Sequence, residues 1–269
     1  MSQARYLIVG GGNMASAIVA GALRAGWSPD RFLVADPDGP KRIAFEAMGV
    51  RAAATAAELV GGLRPADQVV LAVKPQMLEA VAAGLGGLGE GRVVISILAG
   101  ALSARVRTAM GGSVRVVRIM PNTPVRIGLG CSALAIGAGA APPDGEPARE
   151  LFSALGLVFD LPEDRFDAFT ALAGSGPAYV FLLTEAMTAA AVHAGLPPEV
   201  ADRAARQTVL GAARLAADAP QSPAQLRAAV TSKGGTTAAA IESLQSAGFE
   251  AMFRAALVAA RDRGRDLSA

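Results

Sequence analysis

The chain has little of the chemistry on which many enzymes depend. Its 269 residues include a single cysteine, Cys131, and a single histidine, His193. One cysteine excludes an internal disulfide, and no group of Cys and His residues has the spacing of metal ligands. No Ser-His-Asp set for nucleophilic catalysis is evident either. We therefore expect no bound metal, and we interpret His193, in an apolar helical segment, as a core or interface residue rather than a catalyst.

Runs of like charge are also absent. The 25 basic and 23 acidic residues are interspersed, and aromatic residues make up only 4% of the chain. A nucleic-acid-binding protein normally has a basic face with aromatic residues nearby, so nucleic acid is not an expected partner. Residues 1–9 lack the apolar stretch and cleavage site of a signal peptide, which leaves a cytoplasmic location as the expectation.

The longest apolar run, residues 176–196, has two interpretations. It is long enough to cross a membrane, but Glu185 lies in its middle, where a carboxylate is costly. The second interpretation is a helix within a globular protein. A helix that is apolar on every face must be buried on all sides, and a helical domain of about 100 residues has limited capacity to bury it alone. We favour the second interpretation, with no membrane insertion, and predict a homodimer in which a second copy covers this helix.

The first part of the chain alternates between strands and helices. Predicted strands cover residues 5–9, 32–35, 69–73, 93–97 and 114–119, and helical segments between them cover residues 14–25, 40–48, 75–83 and 102–110. Such alternation with nearly all-apolar strands predicts a parallel sheet covered by helices on both faces. Two further strands, residues 131–136 and 157–160, flank a helix at 147–155 and are expected to extend the sheet at its edge.

The pattern changes near residue 161. Beyond Pro162 the sequence shows no convincing strand, and Gly or Pro separates Ala-rich helical segments at 177–194, 198–217, 223–230, 236–246 and 249–265. The predicted fold class is α/β. We expect an N-terminal Rossmann-type doubly wound sheet in residues 1–161 and a C-terminal all-α domain for dimerisation and substrate binding in residues 162–269.

The first strand runs directly into Gly10-x-Gly12-x-x-Ala15, the dinucleotide-binding fingerprint with alanine in the third place. Gly10 permits a tight turn, Gly12 lets a pyrophosphate approach the backbone, and Ala15 allows close packing of helix on strand. The helix that starts near Asn13 and Met14 directs free N–H groups to the phosphates. A purely structural turn is the alternative, but the flanking strands and helix favour a nicotinamide cofactor.

The residues after the second strand leave the choice of cofactor open. Asp36 lies slightly farther from Gly10 than the usual spacing of about 20 residues, and an acidic residue there would bind the ribose hydroxyls of NAD. Lys41 and Arg42 follow as alternative ligands for the 2′-phosphate of NADP, or as ordinary solvated residues at the start of a helix. The cofactor is therefore predicted as NADP or NAD.

Three further segments follow predicted strands, at the edge where ligands bind in a doubly wound sheet. They are residues 72–76, 96–100 and 120–124, and each alone is also compatible with an ordinary loop containing Pro or Gly. Together they supply the remaining candidate cofactor-binding residues, which are Ala72, Val73, Lys74, Pro75, Ala99, Gly100 and Asn122.

A last segment, Thr231-Ser232-Lys233-Gly234-Gly235-Thr236-Thr237, separates two predicted helices of the second domain. It places a helix N-terminus beside small hydroxyl residues, an arrangement suited to a carboxylate. Simple N-capping of the helix by Thr236 or Ser232 is the alternative.

Taken in order, these motifs resemble those of the pyrroline-5-carboxylate reductases over essentially the whole chain. The glycine turn, residues 72–76 and 120–124, residues 172–179 and above all residues 231–237 carry the resemblance. It implies reduction of the cyclic imine 1-pyrroline-5-carboxylate to L-proline with NADPH or NADH, the last step of proline biosynthesis. It also implies a Rossmann domain, a helical dimerisation domain, and dimers that in some members assemble into decamers.

The resemblance further implies roles for single residues. Ser232 and the backbone N–H groups around Gly235, Thr236 and Thr237 would hold the substrate carboxylate, and Ser175 is a further substrate-binding candidate. The hydroxyl of Thr237, the implied catalytic group, would contact the ring nitrogen. In the family this loop faces the cofactor bound to the partner subunit.

Two positions depart from the family pattern. Lys233 stands where many members have proline, which loosens the loop, and Ala57 stands where members often have asparagine near the adenine ribose.

The scarcity of acid–base groups in the chain is compatible with an imine substrate. A protonated cyclic imine is already an electrophile, so the enzyme has to position it beside the cofactor more than it has to transfer protons.

Two rival functions stay open. A β-hydroxyacid-type dehydrogenase would need a lysine acid on a helix of the second domain, where Lys233, in a loop, is the only lysine. A non-enzymatic dinucleotide-binding protein would keep the glycine turn but has no reason to carry the 231–237 loop.

Overall fold

The computed structural model describes residues 4–85, 88 and 90–268, so residues 1–3 of the amino-terminal segment considered above lie outside it. The chain divides into two compact units. The first contains the chain up to Ser175 together with the final stretch from Ala259, and the second spans Gly176–Val258.

Eight strands form one sheet in the first unit, in the order β3-β2-β1-β4-β5-β6-β7-β8. Strands β1 to β6 are parallel, β7 is antiparallel to β6, and β8 is parallel to β7. The doubly wound class and the edge position of the last two strands are thereby confirmed. The strands are β1 (Tyr6–Val9), β2 (Phe32–Ala35), β3 (Arg51–Ala53), β4 (Gln68–Leu71), β5 (Val93–Ser96), β6 (Arg115–Met120), β7 (Gly130–Ile136) and β8 (Gly156–Asp160).

Helices cover both faces of this sheet. The helices of the first unit are α1 (Asn13–Arg24), α2 (Gly39–Glu46), α3 (Ala57–Val60), α4 (Leu78–Gly84), α5 (Ser103–Ala109), α6 (Glu146–Ser153) and α7 (Phe166–Phe169). Side chains of β1 alternate between two separate cores, since Tyr6 and Ile8 pack with residues of α1 and α6 whereas Leu7 and Val9 pack with residues of α3, α4 and α5. This alternation follows from the two-residue repeat of a strand.

The division after Ser175 differs from the predicted boundary near residue 161 because the segment between them packs in the first unit. Phe166 of α7 is buried in a cluster with the end of β6. Glu163 accepts a hydrogen bond from Arg118 Nη1 of β6 at 2.8 Å and another from the backbone N–H of Ser103 at 2.6 Å. These contacts tie the linker to the sheet.

The second unit consists of helices that bury little within one copy of the chain. Among its residues only Ala201 and Ala205 are buried, and Phe181 and Leu182 of α8 are 61% and 66% exposed. The helical stretch Glu163–His193 is long and apolar enough to cross a membrane by length and composition alone, and only 11% of its apolar window is buried. The helices are α8 (Gly176–His193), α9 (Pro198–Asp218), α10 (Pro223–Ala229), α11 (Thr236–Ser246) and α12 (Phe249–Ser268), which ends in the first unit.

Candidate functional site

The first glycine of the turn between β1 and α1 is required by the fold. Gly10 has a φ of +101°, a left-handed conformation that glycine adopts without strain. Its N–H donates to the carbonyl oxygen of Ala35 at 2.8 Å. A Cβ at Gly10 would lie 2.7 Å from the carbonyl oxygen of Ala72. The turn therefore lies directly against the end of β4 and has no room for a side chain.

Gly12 is free of such packing. It is the N-cap of α1, where no side chain caps the helix, and a Cβ built on it meets no atom within 4 Å. Asn13 beyond it is exposed and Met14 is half-buried, while Ala15 is fully buried against the sheet. A helix N-terminus with open space beside its N-cap is an arrangement that binds phosphate groups.

The candidate residues after β4 lie beside this turn. Strand β1 has β2 on one side and β4 on the other, so the winding of the sheet reverses between β1 and β4. Dinucleotides bind at such a reversal, at the carboxyl ends of the strands. A Cβ on Gly10 would touch both Ala72 and Val73. Lys74 is exposed, and Pro75 begins a short 3-10 turn.

Asp36 follows β2, and its carboxylate is turned into the protein. Oδ2 accepts the N–H of Gly11 at 2.7 Å and Oδ1 accepts the N–H of Asp38 at 2.9 Å. Lys41 Nζ lies 3.5 Å from Oδ2, and the guanidinium of Arg42 donates to the carbonyl oxygen of Asp36 at 2.9 Å. The spacing predicted the position of Asp36 but not its contact with Gly11, because that contact depends on the direction of the side chain.

Asn122, after β6, also has both polar groups engaged by the backbone. Its Oδ1 accepts the N–H of Cys131 at 2.9 Å, and its Nδ2 donates to the carbonyl oxygen of Ala173 at 3.0 Å. Ala173 lies in a π-helical turn, Thr170–Gly174, that leads into Ser175, and such turns are frequent at functional sites. Asn122 therefore ties the end of β6 to the segment that carries Ser175.

Ala99 and Gly100 follow β5, between the ends of β4 and β6 in the sheet order. Ala99 is half-buried, and Gly100 is buried with a φ of +73°. The first unit thus gathers the predicted cofactor residues at neighbouring strand ends, with the side chains of Asp36 and Asn122 directed to backbone partners.

The loop between α10 and α11 ends in a helix without a side-chain cap. Gly235 is the N-cap of α11, no side chain bonds to it there, and the first turn contains no acidic residue. The alternative in which Thr236 or Ser232 caps the helix is therefore wrong. A Cβ on Gly235 would lie 2.5 Å from Ser232 Oγ, so the serine hydroxyl lies directly beside the cap. Together with the half-buried Thr237, this is an arrangement that binds carboxylates.

The remaining candidate groups are isolated. Within residues 4–85, 88 and 90–268, no three His, Cys, Asp or Glu side chains come together as metal ligands. His193 is the last residue of α8 and is exposed, so it is not a core residue, and its place in an interface stays a prediction. Burial raises the pKa of the Cys131 thiol. Lys233 is exposed in the turn before α11.

Two sequence families match the chain. The family described as pyrroline-5-carboxylate reductase dimerisation matches residues 163–267, and the family described as NADP oxidoreductase, coenzyme F420-dependent, matches residues 5–100. Among full-length relatives, the pyrroline-5-carboxylate reductase of Pseudomonas aeruginosa is 41% identical over 100% of this chain and 98% of its own. That of Arabidopsis thaliana is 38% identical over 97% of this chain and 94% of its own.

Solved structures are similar over the same length. A pyrroline-5-carboxylate reductase from Coxiella burnetii has a TM-score of 0.89 and 38% identity, and each chain is covered completely. The pyrroline carboxylate reductase of Plasmodium falciparum, solved with NADP bound, has a TM-score of 0.87 and 25% identity, again with complete coverage of both chains.

Proposed function

The chain belongs to the pyrroline-5-carboxylate reductase family, and we propose that it reduces 1-pyrroline-5-carboxylate to L-proline with a hydride from NADPH or NADH. This reaction is the last step of proline biosynthesis. The observation that carries the proposal is a pair of helix N-termini with glycine at the N-cap, that of α1 behind Gly12, where an added Cβ would meet no atom within 4 Å, and that of α11 behind Gly235, where Ser232 Oγ lies beside the cap. Such termini bind anions, and the cofactor and the substrate bring a pyrophosphate and a carboxylate.

The glycine turn and the strand ends beside it would hold the cofactor. The first N–H groups of α1, at Asn13 and Met14, would bind the pyrophosphate in the open space at Gly12. The segments after β4 and β5 would line the rest of the cofactor with backbone and small side chains. When bound, the nicotinamide supplies the hydride. The match of residues 5–100 to an NADP oxidoreductase family supports this assignment.

The loop before α11 would hold the substrate. Ser232 Oγ and the backbone N–H groups of Gly235, Thr236 and Thr237 would bind the carboxylate, and the Thr237 hydroxyl would contact the ring nitrogen. Ser175 is proposed as a further substrate ligand. It follows the π-helical turn whose Ala173 carbonyl accepts a hydrogen bond from Asn122, and this bond would help to position it. The N-cap of α11 supports the carboxylate assignment, because no side chain makes a cap hydrogen bond there and the Ser232 hydroxyl lies beside it.

The reaction does not require an acid or base residue of the protein for the hydride-transfer step. Hydride addition to the carbon of a protonated C=N bond neutralises the iminium directly, and the ring nitrogen keeps its proton as the product amine. The protein must hold the carboxylate, keep the ring nitrogen oriented and bring the carbon to the nicotinamide. A threonine hydroxyl that accepts the N–H of the iminium performs the second task without itself titrating.

We also propose a homodimer in the cytoplasm. The second unit buries only Ala201 and Ala205 in a single copy, and the dimerisation family matches residues 163–267. Protein rather than lipid is proposed to cover α8 because Glu185 is exposed near the middle of that helix, where a membrane would penalise it. Because dimers of this family can assemble further into decamers, the mass of the purified protein in solution is the measurement that distinguishes a dimer from a decamer.

Two measurements on the wild-type protein test the activity. Titration with NADPH and with NADH should quench protein fluorescence, and addition of 1-pyrroline-5-carboxylate should then consume nicotinamide absorbance and produce proline. Binding without substrate-dependent oxidation would instead favour a dinucleotide-binding protein. Reduction of NADP⁺ or NAD⁺ by a β-hydroxy acid, without turnover of the imine, would favour the dehydrogenase alternative.

A further inference from the structure

We infer that Asp36 positions the glycine turn for the pyrophosphate and does not select between NADH and NADPH. The inference rests on the proposed function for the identity of these two ligands. Its physical basis is the geometry of the Asp36 carboxylate. Asp36 is buried, with 6% of its surface exposed.

The Asp36 carboxylate bridges two loops of the first unit. Oδ2 accepts the N–H of Gly11, in the turn after β1, and Oδ1 accepts the N–H of Asp38, in the loop after β2. Hydrogen bonds to an ionised acceptor are about twice as strong as those between neutral groups. The buried carboxylate therefore holds the peptide before Gly12 against the end of β2.

Gly11 packs closely against this anchor and against α2. A Cβ on Gly11 would lie 3.0 Å from Phe45 Cε2 and 3.2 Å from Asp36 Cβ, so α2 and the anchor confine Gly11 from the same side. Gly12, the next residue, is the N-cap of α1. The position of the Gly11 peptide thus sets where the first N–H groups of α1 point, and these groups would contact the pyrophosphate.

The pyrophosphate is common to NADH and NADPH, which differ only at the 2′ position of the adenine ribose. Loss of the carboxylate that anchors the turn should therefore weaken the binding of both cofactors by a similar factor. Loss of a ribose ligand should weaken NADH alone, because the 2′-phosphate of NADPH gains nothing from a carboxylate. Lys41 Nζ, 3.5 Å from Oδ2, already offsets the negative charge that would repel this phosphate.

Asp38 provides a matched control for the charge. Its carboxylate lies 3.7 Å from Lys41 Nζ, similar to the 3.5 Å of Asp36, but it is partly exposed and makes no contact with the glycine turn among the described hydrogen bonds. Asp38→Asn and Asp36→Asn remove the same charge beside the same lysine. Only Asp36→Asn leaves a backbone N–H, the buried one of Gly11 or that of Asp38, facing an amide NH₂ group.

The test measures the dissociation constants of both cofactors for wild type, Asp36→Ala, Asp36→Asn and Asp38→Asn. We expect Asp36→Ala to raise the dissociation constants of NADPH and of NADH by about tenfold or more each. The ratio of the two dissociation constants should stay within about twofold of the wild-type ratio. Asp36→Asn should show a smaller equal loss, and Asp38→Asn should match wild type. A loss confined to NADH, or no loss with either cofactor, would overturn the inference.

Hydrogen–deuterium exchange tests the anchor without any cofactor. The peptide covering residues 6–16 should exchange faster in Asp36→Asn than in Asp38→Asn, in protein whose circular dichroism shows that it is folded. Equal exchange in the two variants would contradict the anchor. A wild-type protein that binds neither cofactor would contradict the proposed function, and the exchange comparison would still decide the role of Asp36.

Discussion

Two glycines in the same turn meet opposite demands. Gly10 combines a φ of +101° with a backbone oxygen 2.7 Å from any added Cβ, whereas a Cβ on Gly12 meets nothing within 4 Å. The fold alone explains Gly10. It does not explain Gly12, but the proposed pyrophosphate would, because it would use the open space in front of α1.

Gly12→Ala should therefore fold and lose cofactor affinity. We expect its free energy of unfolding to fall by less than about 1 kcal/mol, since alanine is only a poorer N-cap than glycine. Its dissociation constant for NADPH should rise at least about tenfold because the methyl group enters the pyrophosphate space. Gly10→Ala, in contrast, should lose several kcal/mol of stability, roughly the sum of strain and overpacking. Wild-type NADPH affinity in Gly12→Ala would contradict the cofactor assignment.

Thr237 tests the substrate loop in the same way. Its hydroxyl is proposed to orient the ring nitrogen, so Thr237→Ala should lower kcat/KM by roughly ten- to a hundredfold, about the value of one or two hydrogen bonds in the transition state. Stability and the NADPH dissociation constant should stay near wild type. Ser243→Ala, which removes an exposed hydroxyl from the same helix, is the control. Wild-type steady-state kinetics in Thr237→Ala would remove this residue from the mechanism.

At the scale of elements, Glu163 joins three of them. It accepts hydrogen bonds from Arg118 of β6 and from the backbone N–H and hydroxyl of Ser103, at the start of α5, and it belongs to the linker that follows β8. Burial alone would raise the pKa of this carboxyl, but the bonds from Ser103 and Arg118 outweigh burial and lower it below the ordinary value of 4.5. The linker is held in the first unit by an ionised group.

This pKa shift gives a pH dependence of known sign. A depressed folded-state pKa stabilises the protein above the unfolded value near 4.5 and loses that contribution as the pH falls through the folded value. Glu163→Gln should cost about 1–3 kcal/mol at pH 7, and its deficit from wild type in urea unfolding should narrow as the pH falls below the ordinary value of 4.5. Glu146→Gln, at an exposed carboxylate, should change stability little at either pH. A Glu163→Gln deficit that is constant with pH would contradict this account.

The elements also show what a sequence can predict here. Strands such as β1 and β2 are continuous apolar runs, buried on both faces, and are predicted because burial of a parallel strand leaves that pattern. Strand β3, Arg51–Ala53, is short and partly exposed, and only its pairing with β2 makes it a strand. The reversed β7 and the π-helical turn depend on tertiary contacts such as that of Asn122 with Ala173. For the same reason, residue spacing found the glycine turn and Asp36 but not the bond between Asp36 and Gly11.

At the scale of the whole molecule, the second unit lacks a core of its own. Three large apolar side chains of α8, Phe181, Leu182 and Leu183, are 47–66% exposed in one copy. Burying one such side chain contributes about 1.5–3 kcal/mol, so a second copy that covers the helix would add to the stability of each folded chain. The apparent stability of the protein should then rise with its concentration.

Leu182→Glu should break this assembly. Leu182 is 66% exposed in one copy, and so is Leu157 of β8 in the first unit, which makes Leu157→Glu a control matched in residue type and exposure. A charge buried in the interface without a partner would cost several kcal/mol, so sedimentation equilibrium should show a dimer dissociation constant raised at least about a hundredfold for Leu182→Glu. Leu157→Glu should sediment like wild type. The dimer on α8 is contradicted if wild type is a monomer, or if Leu182→Glu associates as tightly as Leu157→Glu.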